Sequence, residues 1–280
     1  METWVEELPK KKFFSRVNTT ECLVTISMLV SNRIDTVEKC FESFRPLLEQ
    51  IPSEFIAVDT VGDEKSDGSV DVARKYADKI VHFEWCDDFA AARNAGLKEA
   101  RGKWLIYLDD DEWFDDAGPL IDFFSKPELY ENYDRISMME HSYTSASQID
   151  YVSNKFSRIS AIVPESKFVD PVHELLKGIV YRNEYDLKET FVHHVGYIGK
   201  LSDKKAKRNQ QIMNKELEKN PGNFHLWLQQ IAGAGDDEKE MLKFSEKAIS
   251  TLKSRELDDW NITDWIEIFL YRMRGYARLK

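Results

Sequence analysis

The sequence predicts an α/β domain built on a mostly parallel central sheet, followed by a small all-helical C-terminal region. Three observations carry this prediction. Short apolar, β-branched runs alternate with helical patterns as far as residue 112, which is the signature of βαβ units. Two of those runs end on carboxylates, at Asp59 and at Asp109-Asp110-Asp111-Glu112. Beyond about residue 202 the strand signals stop and only helical periodicity remains.

Taken in order, residues 1–21 are polar, mixed in charge, and expected as an irregular N-terminal arm. Cys22–Val30 is apolar apart from Thr25 and Ser27, as a parallel strand covered on both faces would be. Ile34, Val37, Phe41, Phe44 and Leu48 follow at helical spacing. Phe55–Asp59 is a second strand, Thr60–Gly68 an acidic, glycine-bearing loop, and Ser69–Ala77 a helix. Ile80–Phe83 is a third strand, Phe89–Arg101 a helix closed by Gly102, and Trp104–Leu108 a fourth strand. A helix over Trp113–Phe124 is expected next. Arg135–Glu140 and Thr190–His194 are expected as strands of a less regular extension. The tail reads as helices over Asp203–Lys219, Phe224–Ala232, Asp236–Leu252 and Asp258–Tyr276, separated by Asn220-Pro221-Gly222 and Gly233-Ala234-Gly235. Trp227, Ala232 and Ala248 are spaced around those turns as in a tetratricopeptide-like pair. The expected organisation is an arm over 1–21, an α/β domain over 22–200 and a helical tail over 201–280.

Composition narrows the function classes. The chain has 280 residues, 42% hydrophobic and 32% charged, which fits a soluble globular protein rather than a disordered one. Its net charge is −11, against the basic face that a nucleic-acid backbone demands, so nucleic acid is not an expected partner. Cys22, Cys40 and Cys86 are too few and too scattered for a disulfide framework or a thiolate metal site, and a reducing cytoplasm is the expected compartment. The run Cys22–Val30 falls far short of the ~20 residues of a membrane span. Lys10-Lys11-Lys12 lacks the apolar core of a secretion signal behind it.

In open α/β sheets, ligands bind beyond the carboxyl ends of the strands. Asp59 and Asp109–Glu112 both fall there. Four carboxylates directly after a buried strand repel one another unless a cation relieves them. They suit a hard divalent ion such as Mn²⁺ or Mg²⁺, which in turn neutralises a diphosphate. The plainer alternative is an acidic first turn of the following helix. Asp59 can accept from a nucleobase N–H or a ribose hydroxyl, or simply close a strand-end turn. Asp67 or Ser69 reads as a helix N-cap. Arg93 sits in a small-residue helix, either to reach a phosphate or as a surface arginine paired with Asp87 or Asp88. His173-Glu174, behind the turn-forming Asp170-Pro171, and His193-His194 supply further acid–base and ligand candidates.

These pieces occur in an order that resembles family 2 glycosyltransferases of the Rossmann-like GT-A fold, across roughly residues 22–200. The matching segments are Thr25–Asn32, Val58-Asp59 with Ser66-Asp67-Gly68-Ser69, Trp85–Gly96, and Leu108–Glu112 as the Asp-x-Asp motif. The chain looks most similar to the branch with a Val-His-Glu segment (Val172-His173-Glu174), a His-x-Gly-Tyr segment (His194–Tyr197) and a tetratricopeptide-like tail. Peptide S-glycosyltransferases that modify glycocins and many bacterial surface-glycan enzymes lie near this branch.

The resemblance implies roles residue by residue. Leu29, Val30, Ser31 and Asn32 would lie beside the nucleobase. Asp59 would hydrogen-bond uracil, and Arg93 would contact base or diphosphate. Asp109 and Asp110 would hold ribose and metal, with Asp111 the main metal ligand and His194 a second. His173 rivals His194 for that place. Glu174 would be the catalytic base. The implied activity is metal-dependent, inverting transfer from a UDP-sugar to an acceptor hydroxyl or thiol on a glycan or protein. Cytoplasmic work, including at the inner membrane face, and a homo-oligomer through the helical tail are consistent with it. Three departures stand out. The loop after Asp59 carries extra residues Val61–Lys65, Ser31 stands where an aromatic is common, and the middle position of the Asp-x-Asp motif is itself an aspartate, Asp110, so that all three carboxylates are candidate ligands. The rival readings are a sugar nucleotidyltransferase and a non-catalytic peptide-binding protein using the tail. Against the first, Ser31-Asn32-Arg33-Ile34 lacks the expected glycines.

Overall fold

The computed structural model describes residues 3–9, 14–17, 21–62, 66–178, 183–196, 198, 200–235, 237–252 and 262–279. The chain divides into two compact units: Met1–Val169 with Leu175–Asp203, and Asp170–Glu174 with Lys204–Lys280.

The first unit opens on strand β1 (Thr3–Glu7) and then alternates: β2 (Val24–Val30), α1 (Ile34–Gln50), β3 (Ser53–Asp59), α2 (Ser69–Tyr76), β4 (Lys79–Phe83), α3 (Phe89–Lys98) and β5 (Trp104–Asp109). β6 (Glu112–Phe114), α4 (Gly118–Phe124), α5 (Pro127–Tyr130), β7 (Arg135–Tyr143), β8 (Tyr151–Ala161), β9 (Lys167–Val169), β10 (Leu175–Lys177) and β11 (Glu184–His194) follow. Among the described residues, one nine-stranded sheet runs β1-β4-β3-β2-β5-β8-β7-β11-β6, and β9 and β10 form a separate hairpin. The centre β4-β3-β2-β5 is parallel, as predicted. Antiparallel pairs at β1/β4, β5/β8, β7/β8 and β6/β11 extend it outward.

Every residue of β2 is buried because both faces are covered. Val37, Phe41 and Phe44 of α1 pack with Ile26, Met28 and Phe55 on one face. On the other, Ala92 of α3 packs with Leu29, Ile56, Val58 and Val81. This two-sided burial is why these strands read as mostly apolar runs, in which even Thr25, Ser27 and Glu54 are buried. At the far end of the sheet from the acidic cluster, Gly102 leaves no room for a side chain: a Cβ there would stand 2.4 Å from the backbone nitrogen of Thr25. Gly102→Ala is therefore expected to destabilise the fold by roughly 1–3 kcal/mol, the usual cost of overpacking, measured by urea denaturation.

Three expectations need correction. Thr3–Glu7 is no irregular arm: it pairs antiparallel with β4, from Thr3 opposite Phe83 to Glu7 opposite Lys79, and closes that edge of the sheet. Trp113 does not start a helix. Glu112–Phe114 is a strand laddered to β11, with Trp113 opposite His193, and the helix begins only at Gly118-Pro119, where proline suits a first turn. The helix from Phe89 ends at Lys98, so Arg101 lies beyond it. β8 has no counterpart among the strands expected from the sequence.

The second unit contains α6 (Lys200–Lys219, its first residues belonging to the other unit), α7 (Phe224–Gly233), α8 (Glu238–Leu252) and α9 (Ile262–Arg278). Asn223 caps α7 by accepting from Leu226 N at 3.1 Å. Trp227 and Ala248 are buried, whereas Ala232 is exposed and plays no part in that packing. α8 and α9 are pinned by Arg272–Glu246 and Arg278–Glu238, both at 2.8 Å. Trp260 and the Trp265 side chain lie outside the described residues. Among the described residues, no helix is long and apolar enough to cross a membrane.

Candidate active site

Strand register brings Leu29, Val30, Asp59 and Asp109 to one rim. Val30 stands opposite Asp59, Leu29 opposite Asp109, and Asp59 opposite His82, so β2, β3, β4 and β5 reach their carboxyl ends together. Just beyond, Ser31 turns back: its N–H and Oγ donate to Asp110 Oδ2 at 2.6 and 2.8 Å. Asn32 Oδ1 accepts from Asp67 N at 3.0 Å. Neither Asp67 nor Ser69 is the N-cap of α2, which is Gly68 with no side-chain cap. They serve the start of α1 instead, where Asp67 Oδ2 accepts from Ile34 N and Ser69 Oγ accepts from Arg33 N, both at 3.0 Å.

The four carboxylates have separate environments. Asp109 is the most open, its side chain 32% exposed, and receives Arg93 Nη2 at 2.7 Å. Asp110 faces inward, and burial, then the charge of Asp111, pushes its carboxyl above the usual range. Its carbonyl accepts from Thr36 Oγ1 at 2.8 Å and Cys40 Sγ at 3.2 Å. Asp111 is buried beside Arg33, with Nη2 to Oδ2 at 3.1 Å, and its Oδ1 lies 3.7 Å from His194 Nε2. Glu112 is fully buried, and burial pushes its carboxyl up against the pull of Arg158. Its Oε2 accepts from Asp109 N at 3.0 Å and from Arg158 Nη1 at 2.9 Å. Its Oε1 has no hydrogen-bond partner among the described residues.

That orphaned oxygen sits in a set that suits a cation. Glu112, Glu140 and His194 each offer one ligand atom, all within 4.8 Å of one another. His194 Nδ1 lies 3.2 Å from Glu140 Oε1, and Ser142 Oγ also donates to that oxygen. Burial pushes the Glu140 carboxyl up, but the bonds from His194 and Ser142 outweigh it and hold the group below its usual value. Burial pulls His194 down, but Glu140, Glu112 and Asp111 together lift it above the ordinary histidine value. Two carboxylates and an imidazole are a donor set for Mn²⁺ or Mg²⁺. An unsatisfied buried carboxylate oxygen is what such an ion would relieve. Of the predicted metal residues, His194 falls in this set and Asp111 lies beside it. Asp109 points to the arginines instead. The sequence gives no sign of Glu140 and marks Glu112 only as part of the acidic run.

Arg93 is not a surface residue. It is 3% exposed and its guanidinium lies over the Tyr107 ring, 5.1 Å from the centroid. Asp88, its expected partner, caps α3 by accepting from Ala91 N at 2.8 Å. Asp59 is also more enclosed than a solvent-facing base reader would be. Its Oδ1 accepts from Val61 N and Gly62 N at 2.9 and 3.2 Å, and its Oδ2 lies 3.0 Å from His82 Nδ1. His82 Nε2 is 3.2 Å from Glu6 Oε2, and Trp4 stacks on the ring at 3.7 Å, so β1 buttresses Asp59 through His82.

His173 and Glu174 belong to the second unit. The turn before Glu174 is tight: Asp170 and His173 have φ of 70° and 55°, in the left-handed region. Two side chains of the helical unit hold it. Asn223 Nδ2 donates to Asp170 Oδ1 at 2.5 Å, and His225 Nε2 lies 3.1 Å from the His173 carbonyl. Val172 between them is buried. Tyr197, the last residue of the His-x-Gly-Tyr segment, lies outside the described residues.

A sheet with a parallel centre and a rim of carboxylates and His194 at its carboxyl edge defines an α/β protein with a candidate cation site there. The sequence profile of glycosyl transferase family 2 matches residues 25–183, and the chain belongs to that family. The chain is 27% identical over 157 residues to the TPR repeat-containing protein Synpcc7942_0270 of Synechococcus elongatus, covering 55% of this chain and 35% of that one. It is 30% identical over 97 residues to EpsH of Bacillus subtilis, covering 33% of this chain and 27% of EpsH. The chain thus spans about a quarter to a third of the length of these curated relatives. The mannosyltransferase PcManGT of Pyrobaculum calidifontis, solved with GDP-Man and Mn²⁺, aligns over 96% of this chain and 90% of that one, at 11% identity and a TM-score of 0.47.

Proposed function

We propose that this chain is a metal-dependent, inverting glycosyltransferase that moves a sugar from a UDP-sugar to a hydroxyl or thiol of a glycan or protein. The observation that carries the reading is the buried, unpartnered Glu112 Oε1 beside Glu140, His194 and Asp111 at the carboxyl rim of the sheet. Asp111 and His194 would hold Mn²⁺ or Mg²⁺, with Glu112 and Glu140 within reach. When bound, the cation supplies positive charge for the leaving diphosphate. Ser31 fixes Asp110 and thereby the turn on which Asp111 sits, while Leu29, Val30 and Asn32 border the nucleoside. Asp59 supports that border from beneath through its backbone bonds. Arg93 holds Asp109 toward the ribose. Glu174 takes the acceptor proton, and attack opposite the diphosphate inverts the anomeric centre. The tail is the proposed place for a peptide acceptor or a second copy of the chain, since Ile266, Leu270 and Met273 of α9 are exposed on one side of that helix.

The deciding experiment is calorimetric titration of UDP with and without Mn²⁺, then UDP-sugars and GDP-mannose scored for slow hydrolysis. Metal-dependent UDP binding and hydrolysis of one UDP-sugar are the expected results. GDP binding in place of UDP would move the donor class. Pyrophosphate release from a nucleoside triphosphate would favour the nucleotidyltransferase. No nucleotide binding by the folded protein would overturn the donor reading and favour a non-catalytic binding role.

A further inference from the structure

Three arginines from three separate parts of the chain meet the acidic cluster, and they are not equivalent. Arg33, just before α1, pairs with Asp111. Arg93 of α3 is sealed in beneath Asp109. Arg158 of β8 bridges two acids through one nitrogen: Nη1 lies 3.0 Å from Asp109 Oδ2 and 2.9 Å from Glu112 Oε2. Its side chain is 28% exposed, against 3% for Arg93. Its guanidinium rests over the rings of Tyr107 and Phe156, 5.7 Å from each centroid, contacts that guide it without fixing it. Arg158 therefore reaches from the closed carboxylate of Glu112 to the open one of Asp109, at the mouth of the site.

We infer that Arg158 is a donor-contacting residue. Before the donor arrives, its guanidinium neutralises Asp109 and Glu112. When a divalent cation takes over that role, the guanidinium turns to the diphosphate. The inference rests on the proposed nucleotide-sugar reading, which supplies the diphosphate. A guanidinium and a metal ion compete for the same negative charge, so both cannot neutralise Glu112 fully. A guanidinium released beside a diphosphate re-pairs there, because its planar fork matches two phosphate oxygens as it matches a carboxylate. No bond is made or broken; only ion pairs are exchanged.

The test compares Arg158→Gln and Arg158→Lys with the wild-type chain, each first shown to melt cooperatively. Mn²⁺ alone is titrated by calorimetry, UDP is titrated at saturating Mn²⁺, and uridine is followed by ligand-observed NMR. Arg158→Gln is expected to bind Mn²⁺ as tightly as wild type or tighter, because the competing charge is gone. UDP should bind about 10- to 100-fold more weakly, the usual effect of losing a charged hydrogen bond, with Arg158→Lys in between. Uridine, which has no diphosphate, should bind unchanged. A merely structural arginine would weaken all three ligands together. Undiminished UDP binding, a parallel loss for uridine, or weaker Mn²⁺ binding would each overturn the inference. Failure of the wild-type chain to bind UDP or GDP with Mn²⁺ would instead overturn the donor reading, and this inference with it. Wild-type binding that Arg158→Gln leaves intact sinks the inference alone.

Discussion

Replacing Glu174 by Gln is expected to cost about 10²–10⁴-fold in turnover, the usual contribution of a general base, while leaving UDP and Mn²⁺ affinity unchanged. The amide keeps the size of the side chain and loses only its ability to take a proton. Glu174 follows a turn with two left-handed residues, held by Asn223 and His225, so its backbone is fixed by contacts the substitution does not touch. The loss should therefore fall on kcat, with KM for the donor unaltered. Steady-state kinetics beside calorimetry separates these outcomes. Full activity in Glu174→Gln would remove Glu174 as base, and a loss of UDP affinity would reassign it to donor binding. His173→Ala should leave Mn²⁺ affinity as it is, which decides between His173 and His194 as ligand.

The second large effect is expected at the cation site. Asp111→Asn and His194→Ala should each weaken Mn²⁺ binding and lower transfer on the order of 10²–10⁴-fold, the several kcal/mol that charge stabilisation of a leaving group supplies. Chelation with EDTA should abolish transfer, and added Mn²⁺ should restore it. Glu140→Gln tests the wider donor set. Glu140 and His194 share a hydrogen bond, and that bond helps lift the imidazole above its ordinary value. Removing the charge should weaken Mn²⁺ by about 10- to 100-fold if Glu140 supports the ligand from outside, and more if it is itself a ligand. Unchanged metal affinity in all three variants would refute the site.

Much of this site is legible in the sequence because it lies where an apolar run meets charge. Trp104–Leu108 followed by four carboxylates is a local signal, and so is Val58-Asp59. The groups that complete the site are not local. Arg158 meets residues 46 and 49 positions away, from a strand whose first five residues are exposed and carry no apolar rhythm. Glu140 faces the cation site only because β7 alternates, turning Glu140 and Ser142 to one side and His141 to the other. β1 is illegible for a related reason. Its order comes from pairing with the finished edge of β4, not from a hydrophobic pattern of its own. Arg93 is easily misjudged because a lone arginine among alanines gives no hint of the aromatic rings and carboxylate that enclose it.

The loop Asp170–Glu174 lies between β9 and β10 yet belongs to the helical unit, through bonds to Asn223 and His225. The polypeptide thus crosses from one unit to the other and back before it finally enters the tail. No single cut can part them cleanly. A chain truncated near residue 200 would keep the sheet and its acidic rim but strip Asp170 and His173 of the side chains that hold them. A chimera with another transferase's tail would do the same unless it carried 170–174 and 223–225 together. For protein engineering, the inheritable module is that pair of segments, and recombination breakpoints belong outside both.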